Sequence, residues 1–409
     1  MGCVIESHAM TIRCKKLSKS KHWLLFFATL MVLGSGACVS RKTPAAALST
    51  PEIRTAIESI PALGTNAAPA ISESDAGADR SPTPEAENAE GLLNPLTGQS
   101  VLDAERLERR PILVKVTLFP RNNRPQWGLS YADIVYEYYT EGGLSRFAAL
   151  FYGEDAEIVG PIRSARLVDI QLVRMYAALF AYGSADYRVL EQIDESEFAD
   201  RAVREFPAGC PPLCRIDPAG QNHLVTDTQA LRAFYRDRGV DISAPNLSGM
   251  SFEDTPPEES EPGVRLGVAY SADDFHEWVY APEVGLYRRF QESGGDSAEV
   301  VALTDRLTGE PIESANVVLL KVPHAYYAHT PEIVDIQLYG EGDALALRDG
   351  KAYDVRWIRP YPEGVLYLSL PDGAAYPFKP GTTWFELVGT SSSVMQEVQG
   401  YWTVTFDLP

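Results

Sequence analysis

The alternation of apolar and polar positions changes character along the chain, and each change predicts a different kind of structure. P-I-L-V-K-V-T-L-F (residues 111–119) is a short, nearly continuous apolar run, the pattern of a buried strand. Residues 133–141 and 144–152 are two further β-type runs around Gly142-Gly143, a dipeptide suited to a tight primed turn, and they predict a hairpin. Residues 164–178 have helical spacing, with Ser164 as the expected N-cap after Gly160-Pro161. A-L-F-A-Y (178–182) stops at Gly183-Ser184 and reads as a second buried strand. Residues 187–193 and 227–238 read as helices, the latter opening on a capping-box pattern at Thr226 and Gln229 and ending at Gly239.

Residues 245–263, with E-D-T-P-P-E-E-S-E-P inside them, form an acidic proline-rich break. Beyond it the helical period disappears. V-R-L-G-V-A-Y, N-V-V-L-L-K-V, A-Y-D-V-R-W-I, T-T-W-F-E-L-V and Y-W-T-V-T-F are short β-rich runs separated by Gly, Pro and Asp turns. The expected fold class is α+β: an N-terminal mixed α/β domain (91–244), a linker (245–263), and a mostly antiparallel β domain (264–409) of sandwich or partly open barrel type. No P-loop is present, and no dinucleotide fingerprint follows an expected strand.

The first ninety residues carry neither pattern. Arg13, Lys15, Lys16, Lys19 and Lys21 precede the apolar run at 23–33, after which G-S-G-A-C ends at Cys38. A basic segment, a short apolar core and small residues before a cysteine make a lipoprotein-type signal peptide over 1–37, with Cys38 lipidated and the chain held on the outside of a bacterial cell membrane. Ser35 stands where a lipobox usually has Leu, which leaves ordinary cleavage and an uncleaved anchor open. Residues 38–90 are rich in Ala, Pro, Ser, Thr and acidic residues and predict a disordered tether.

Charge narrows the partners. The chain carries a net −20, and because residues 1–37 hold five basic residues and one acidic, the rest carries −24. Such a surface repels phosphate backbones, so nucleic acid is not an expected partner, and membrane contact is expected through the lipid anchor. Of the five cysteines, Cys3 and Cys14 lie in the leader. Cys210 and Cys214, in G-C-P-P-L-C, predict a local disulfide in an oxidising compartment; a metal site with His223 is the weaker alternative. No metal or cofactor is expected.

Candidate chemistry concentrates at 132–178. With a two-residue turn at Gly142-Gly143, the opposed pairs are Glu141 with Leu144, Tyr139 with Arg146 and Glu137 with Ala148, all on one face. That register predicts a cluster of Glu137, Glu141 and Arg146. It reads either as a paired-carboxylate catalytic site, with Glu137 and Glu141 as acid and base, or as a structural ion-pair network. In G-P-I-R-S-A-R, Arg163 and Arg166 flank Ser164 and the expected helix N-terminus, an arrangement suited to a carboxylate or phosphate, unless these arginines pair with Glu137, Glu141 or Asp169. Ser164 reads as a cap rather than a nucleophile, since no histidine is near it in sequence. His223 is the candidate acid/base or hydrogen-bond donor; His276, His324 and His329 read as structural or surface residues.

These motifs, in order, resemble the YerB-like family of bacterial lipoproteins: N-P-L-T-G (94–98), R-P-I-L-V-K-V, R-P-Q-W-G-L-S-Y-A-D-I-V-Y-E-Y, E-G-G-L-S-R-F and G-P-I-R-S-A-R, then G-E-G-D-A-L-A-L-R-D-G-K from Gly340, Trp357, and P-G-T-T-W from Pro380. The resemblance covers residues 91–409. It implies a lipoprotein with an N-terminal domain and a β-rich partner domain, of no settled reaction, and a polar signature on Glu137, Glu141, Gly142, Gly143, Arg146, Arg163, Ser164, Arg166, Gly183 and Ser184. The chain departs from it at Gln221–Leu224, where Q-N-H-L replaces P-H-N-L, and at Gly294, which stands in place of a histidine two residues before Asp296. The resulting expectation is a cell-envelope lipoprotein that binds an anionic small molecule or cell-wall fragment through Arg146, Arg163, Ser164, Arg166, Ser184 and His223. A cell-wall enzyme and a structural partner protein are the alternatives.

Overall fold

A computed structural model describes residues 92–217, 223–293 and 299–408. The leader, Cys38, the tether, Gln221, Gly294 and Asp296 lie outside the described residues, as does the question of lipidation. Strands dominate, with few helices, in keeping with the α+β class.

The apolar runs become strands because they are buried on both faces. Ile112–Thr117 is buried at every position, and so is Leu179–Tyr182, which pairs with it in parallel. The hairpin forms as expected from Ile134–Glu141 and Leu144–Phe151, and both turn glycines adopt positive φ (63° and 81°), the requirement of a primed turn. Ala202–Arg204, an unexpected strand, extends the sheet beyond Leu179–Tyr182.

The two sequence halves meet in this sheet. Thr383–Gly389 lies between Ile134–Glu141 and Asn316–Val322, parallel to both, so a C-terminal strand completes the N-terminal sheet. Gly340–Arg348, Lys351–Arg359 and Tyr367–Ser369 continue it antiparallel. The described residues all belong to one compact unit. The stretch expected as a linker is woven in: Ser251–Phe252 pairs with Pro377–Phe378 and Glu261–Pro262 with Lys351 and Ala352.

A second sheet is built from Arg265–Ser271, Asp274–Ala281, Leu286–Glu292, Val300–Ala302, Ser393–Val398 and Tyr401–Thr405, and it packs on one face of the large sheet. Antiparallel pairs prevail there, with Arg265–Ser271 and Tyr401–Thr405 parallel. The opposite face of the large sheet is covered by the helix Leu167–Met175.

Strand direction organises the site. Ile112–Thr117, Ile134–Glu141, Leu179–Tyr182, Ala202–Arg204, Asn316–Val322, Lys351–Arg359 and Thr383–Gly389 all run in the same sense. Their carboxyl ends therefore share one edge, where ligand sites of α/β sheets are commonly found.

Candidate functional site

The hairpin register differs from the expected one. Glu141 pairs with Leu144, but a bulge at Thr140 follows, and the partners become Tyr139 with Ser145, Tyr138 with Arg146 and Glu137 with Phe147. The Thr140 hydroxyl donates to the Leu144 carbonyl at 3.0 Å across the distorted rung. One extra residue on one strand reverses which side chains face which way. Glu141, Tyr138 and Arg146 face the helix, whereas Glu137 and Tyr139 face away from it. The expected single cluster is two clusters on opposite faces.

On the helix side, Arg166 holds Glu141 with two guanidinium contacts, through Nε to Oε2 at 2.7 Å and through Nη2 to Oε1. Arg146 donates to the same Oε1 at 2.7 Å. Both arginines also donate to the Ser164 carbonyl, and Arg166 to that of Ala165. Burial raises the Glu141 carboxyl, but the Arg166 hydrogen bond and the charges of Arg146 and Arg166 outweigh it, and the net shift is downward. Arg146 is lowered to about 10, by burial first and then by the like charge of Arg166, with Arg163 adding to it. Arg163 is lowered by burial and by Arg215.

The helix begins at Leu167, not at Ser164, with Arg166 as its N-cap residue. The Asp169 carboxylate accepts the Arg166 backbone N–H at 2.6 Å, closing the first turn from within the chain. The expected vacant helix N-terminus is thus corrected: Asp169 and Glu141 supply its negative charge. Ser164 contributes its carbonyl to Arg146 and Arg166. The helix at Thr228–Asp237 is likewise capped one residue later than expected, by the Asp227 side chain.

Beneath these arginines lies a chain that sequence reading missed. Lys115 Nζ bonds the Tyr138 hydroxyl, which bonds Asp169 Oδ1, and Lys115 Nζ stands 3.6 Å from the same carboxylate oxygen. All three side chains are fully buried. Burial lowers the Lys115 amine to about 7; the Asp169 charge opposes this, and Arg146 and Arg166 reinforce it. A lysine inside I-L-V-K-V was the available clue, since an unpaired charge in a buried strand is costly.

Other expected residues gather at the same edge. The Ser184 carbonyl accepts the Ala165 N–H at 2.8 Å and the Gly183 N–H reaches the Arg163 carbonyl at 2.9 Å, so 183–184 is stitched to 163–165 just beyond the end of Leu179–Tyr182. His223 is half-exposed, with Nδ1 3.7 Å from Asp217. Cys210 and Cys214 form a disulfide, which removes both sulfurs from the metal alternative. The disulfide lies at the head of the small antiparallel pair Leu213–Arg215 and Leu224–Thr226.

On the other face, Glu137 and Glu386, neighbours on adjacent parallel strands, meet Arg289 of the second sheet. Arg289 Nη1 stands 2.7 Å from Glu137 Oε2, an ion contact, while Nη2 donates to Oε1 at 3.1 Å. Phe147, Trp278 and Trp384 surround the guanidinium at 5.2–5.6 Å. Trp278 Nε1 donates to Glu386 at 2.9 Å, and His276 Nε2 lies 3.0 Å from the same oxygen. Asp274 accepts the Ser145 N–H at 2.6 Å. Burial raises Glu137 and Glu386, pushes Asp274 up to about 7 with help from the Glu137 charge, and takes His276 down to about 3. Ligand atoms of Glu137, Asp274 and His276 fall within 4.8 Å of one another, a spacing a divalent cation could bridge. Arg289 already places a positive charge there, and the chemistry shown is that of a buried ion network between sheets.

Glu137 and Glu141 therefore do not confront one substrate bond, and the paired-carboxylate arrangement is corrected. What the helix-side edge can do chemically is hold negative charge against several guanidinium groups beside a buried amine of depressed basicity.

Comparison with known proteins agrees with this architecture. Residues 96–241 match the N-terminal domain, and residues 266–385 the C-terminal domain, of the family described as "Protein of unknown function (DUF3048)". The chain belongs to this family, the YerB-like proteins. It is 26% identical over 306 residues to YerB of Bacillus subtilis (strain 168), named as a candidate lipoprotein, covering 74% of this chain and 88% of that one. It is also similar to the crystal structure of YerB from Bacillus subtilis, with a TM-score of 0.62 and 26% identity over 73% of this chain and 96% of that one.

Proposed function

We propose that this protein is an extracytoplasmic lipoprotein that binds an anionic envelope ligand at the carboxyl edge of its large sheet. The observation that carries the reading is an imbalance of charge. The guanidinium groups of Arg146 and Arg166 share the carboxylate of Glu141, while the nearby Asp169 carboxylate is engaged by the Tyr138 hydroxyl and the Arg166 backbone N–H. A ligand carboxylate or phosphate relieves the repulsion between these two guanidinium groups and gains bidentate pairing. Outward location is supported by the leader pattern ending at Cys38 and by the candidate lipoprotein among the relatives. No helix among the described residues is long and apolar enough to cross a membrane.

A second reading, a cluster that only braces the fold, is favoured by the hydrogen bonds of Arg146 and Arg166 to the 164–165 carbonyls. Thermal melting with inorganic phosphate and with acidic cell-wall fragments separates the two. Ligand binding predicts a stabilising shift that Arg163→Ala abolishes while the unliganded melting temperature stays close to that of the parent. A large unliganded loss in Arg163→Ala, with no ligand-induced shift in the parent protein, supports bracing and sinks the binding proposal.

A further inference from the structure

The exposed aromatic side chains of the described residues are Tyr187, Phe206, Tyr326, Tyr327, Tyr339 and Tyr361. Each lies at the sheet edge that carries the arginines. Tyr187 follows the strand Leu179–Tyr182, Phe206 follows Ala202–Arg204, and Tyr361 follows Lys351–Arg359. Tyr326 and Tyr327 follow Asn316–Val322, and Tyr339 precedes Gly340–Arg348, which runs the opposite way and so starts at this edge.

The local structure holds these rings outward. The small hairpin His324–His329 and Glu332–Ile336 has its irregularity between Tyr326 and Ala328, so Tyr327 is the bulged residue, turned out of the ladder. Glu332 anchors that hairpin over the Gly142-Gly143 turn, accepting from the Tyr139 hydroxyl and the Gly142 N–H, each at 2.8 Å. Gln171 ties it to the helix through the Ile336 carbonyl at 2.6 Å. Arg188 lies 5.2 Å from the centre of the Tyr187 ring and pairs with Asp186, while Tyr326 packs 4.3 Å from His329. Rings and guanidinium groups therefore share one surface.

The geometry points to a glycan strand bearing sparse acidic groups as the occupant of this edge. The inference rests on the anion-binding reading and specifies its ligand. Sugar rings present apolar C–H faces bordered by hydroxyls, which match tyrosine rings with their hydroxyl tips. Isolated acid groups on the glycan match Arg146 and Arg166, two guanidinium groups that share one carboxylate. At about 4.8 Å per strand, the edge from Ala202–Arg204 to Lys351–Arg359 spans roughly 40 Å, the length of an oligosaccharide. A densely charged phosphate polymer suits a net −20 chain poorly. A protein partner would call for a contiguous apolar core, whereas these rings fall in two groups, one after Leu179–Tyr182 and Ala202–Arg204 and the other around Asn316–Val322, Gly340–Arg348 and Lys351–Arg359.

The test is calorimetric titration of the full chain with N-acetylglucosamine–N-acetylmuramic acid oligomers from di- to hexasaccharide. Neutral chitooligosaccharides of equal length and inorganic phosphate serve as comparators. The expected result is affinity for the acidic oligomers that rises with length, and that falls about tenfold or more in Tyr327→Ala and in Tyr187→Ala while phosphate binding is unchanged. Phosphate binding without any glycan preference overturns the glycan inference and leaves the anion site standing. Absence of binding to both phosphate and acidic oligomers overturns both.

Discussion

Glu137 and Glu141 belong to one strand and face opposite sides of the sheet, Glu137 toward Arg289 and Glu141 toward Arg166. The bulge at Thr140 is the cause. It gives two neighbouring carboxylates different electrostatic fates: burial raises one, and arginine pairing lowers the other despite its burial.

This division predicts separable mutants. Glu137→Ala leaves the Arg289 guanidinium short of a partner in a fully buried site, an expected loss of about 3–5 kcal/mol in urea unfolding. Glu137→Gln, which keeps shape and one acceptor, costs less. Neither should alter phosphate affinity, because the arginine edge is on the other face. A selective loss of phosphate binding in folded Glu137→Gln contradicts the assignment of faces.

Glu141→Gln acts in the opposite sense. Removing the carboxylate that Arg146 and Arg166 share increases their mutual repulsion, so the unliganded protein should melt lower. The same change frees both guanidinium groups for an external anion, and phosphate affinity at low salt should rise about tenfold, with a steep loss as salt is added. Unchanged affinity would mean that Glu141 and the ligand do not compete.

The buried carboxyl of Asp274 makes a prediction about pH. Its folded value, about 7, lies above its ordinary 3.8, so between these the folded state binds more protons than the unfolded chain and this group's contribution falls as pH rises. His276, taken down to about 3, works the other way below its ordinary 6.5. Asp274→Asn should therefore gain stability relative to the parent as pH climbs from about 4 to about 7, by up to about 1.4 kcal/mol per pH unit, and level off above. Denaturant midpoints at successive pH values measure it, and a flat difference would refute it.

Lys115 titrates on the alkaline side. Its amine, lowered to about 7 from 10.5, is neutral in the folded state where the unfolded chain is still charged, so stability should rise with pH over this range. Lys115→Met should remove that slope between about pH 7.5 and about 9.5, below the range of the buried tyrosines, whose hydroxyls burial raises. An identical slope in both proteins would show that Lys115 stays protonated.

Much of the local structure was legible in the sequence. The buried strand at 112–117, the hairpin with its glycine turn, the helices near 187 and 228 and most of the later β runs follow from apolar period and turn chemistry, which are local. The Cys210–Cys214 disulfide follows from the close spacing of the two cysteines around Pro211-Pro212. Gathering of Glu141, Arg146, Ser164, Arg166 and Ser184 at one edge was also within reach, because the hairpin and the G-P-I-R-S-A-R segment are neighbours in the chain. Tertiary structure alone decided the rest. The bulge at Thr140 has no period of its own, yet it determines which carboxylate each arginine meets. The insertion of Thr383–Gly389 beside Ile134–Glu141 joins residues separated by most of the sequence, and hydrogen bonding between distant strands leaves no local pattern. Lys115, Tyr138 and Asp169, and likewise Glu137, Arg289 and Glu386, become partners only through strand order and sheet packing, because a buried charge is stabilised by whichever opposite charge the fold brings beside it.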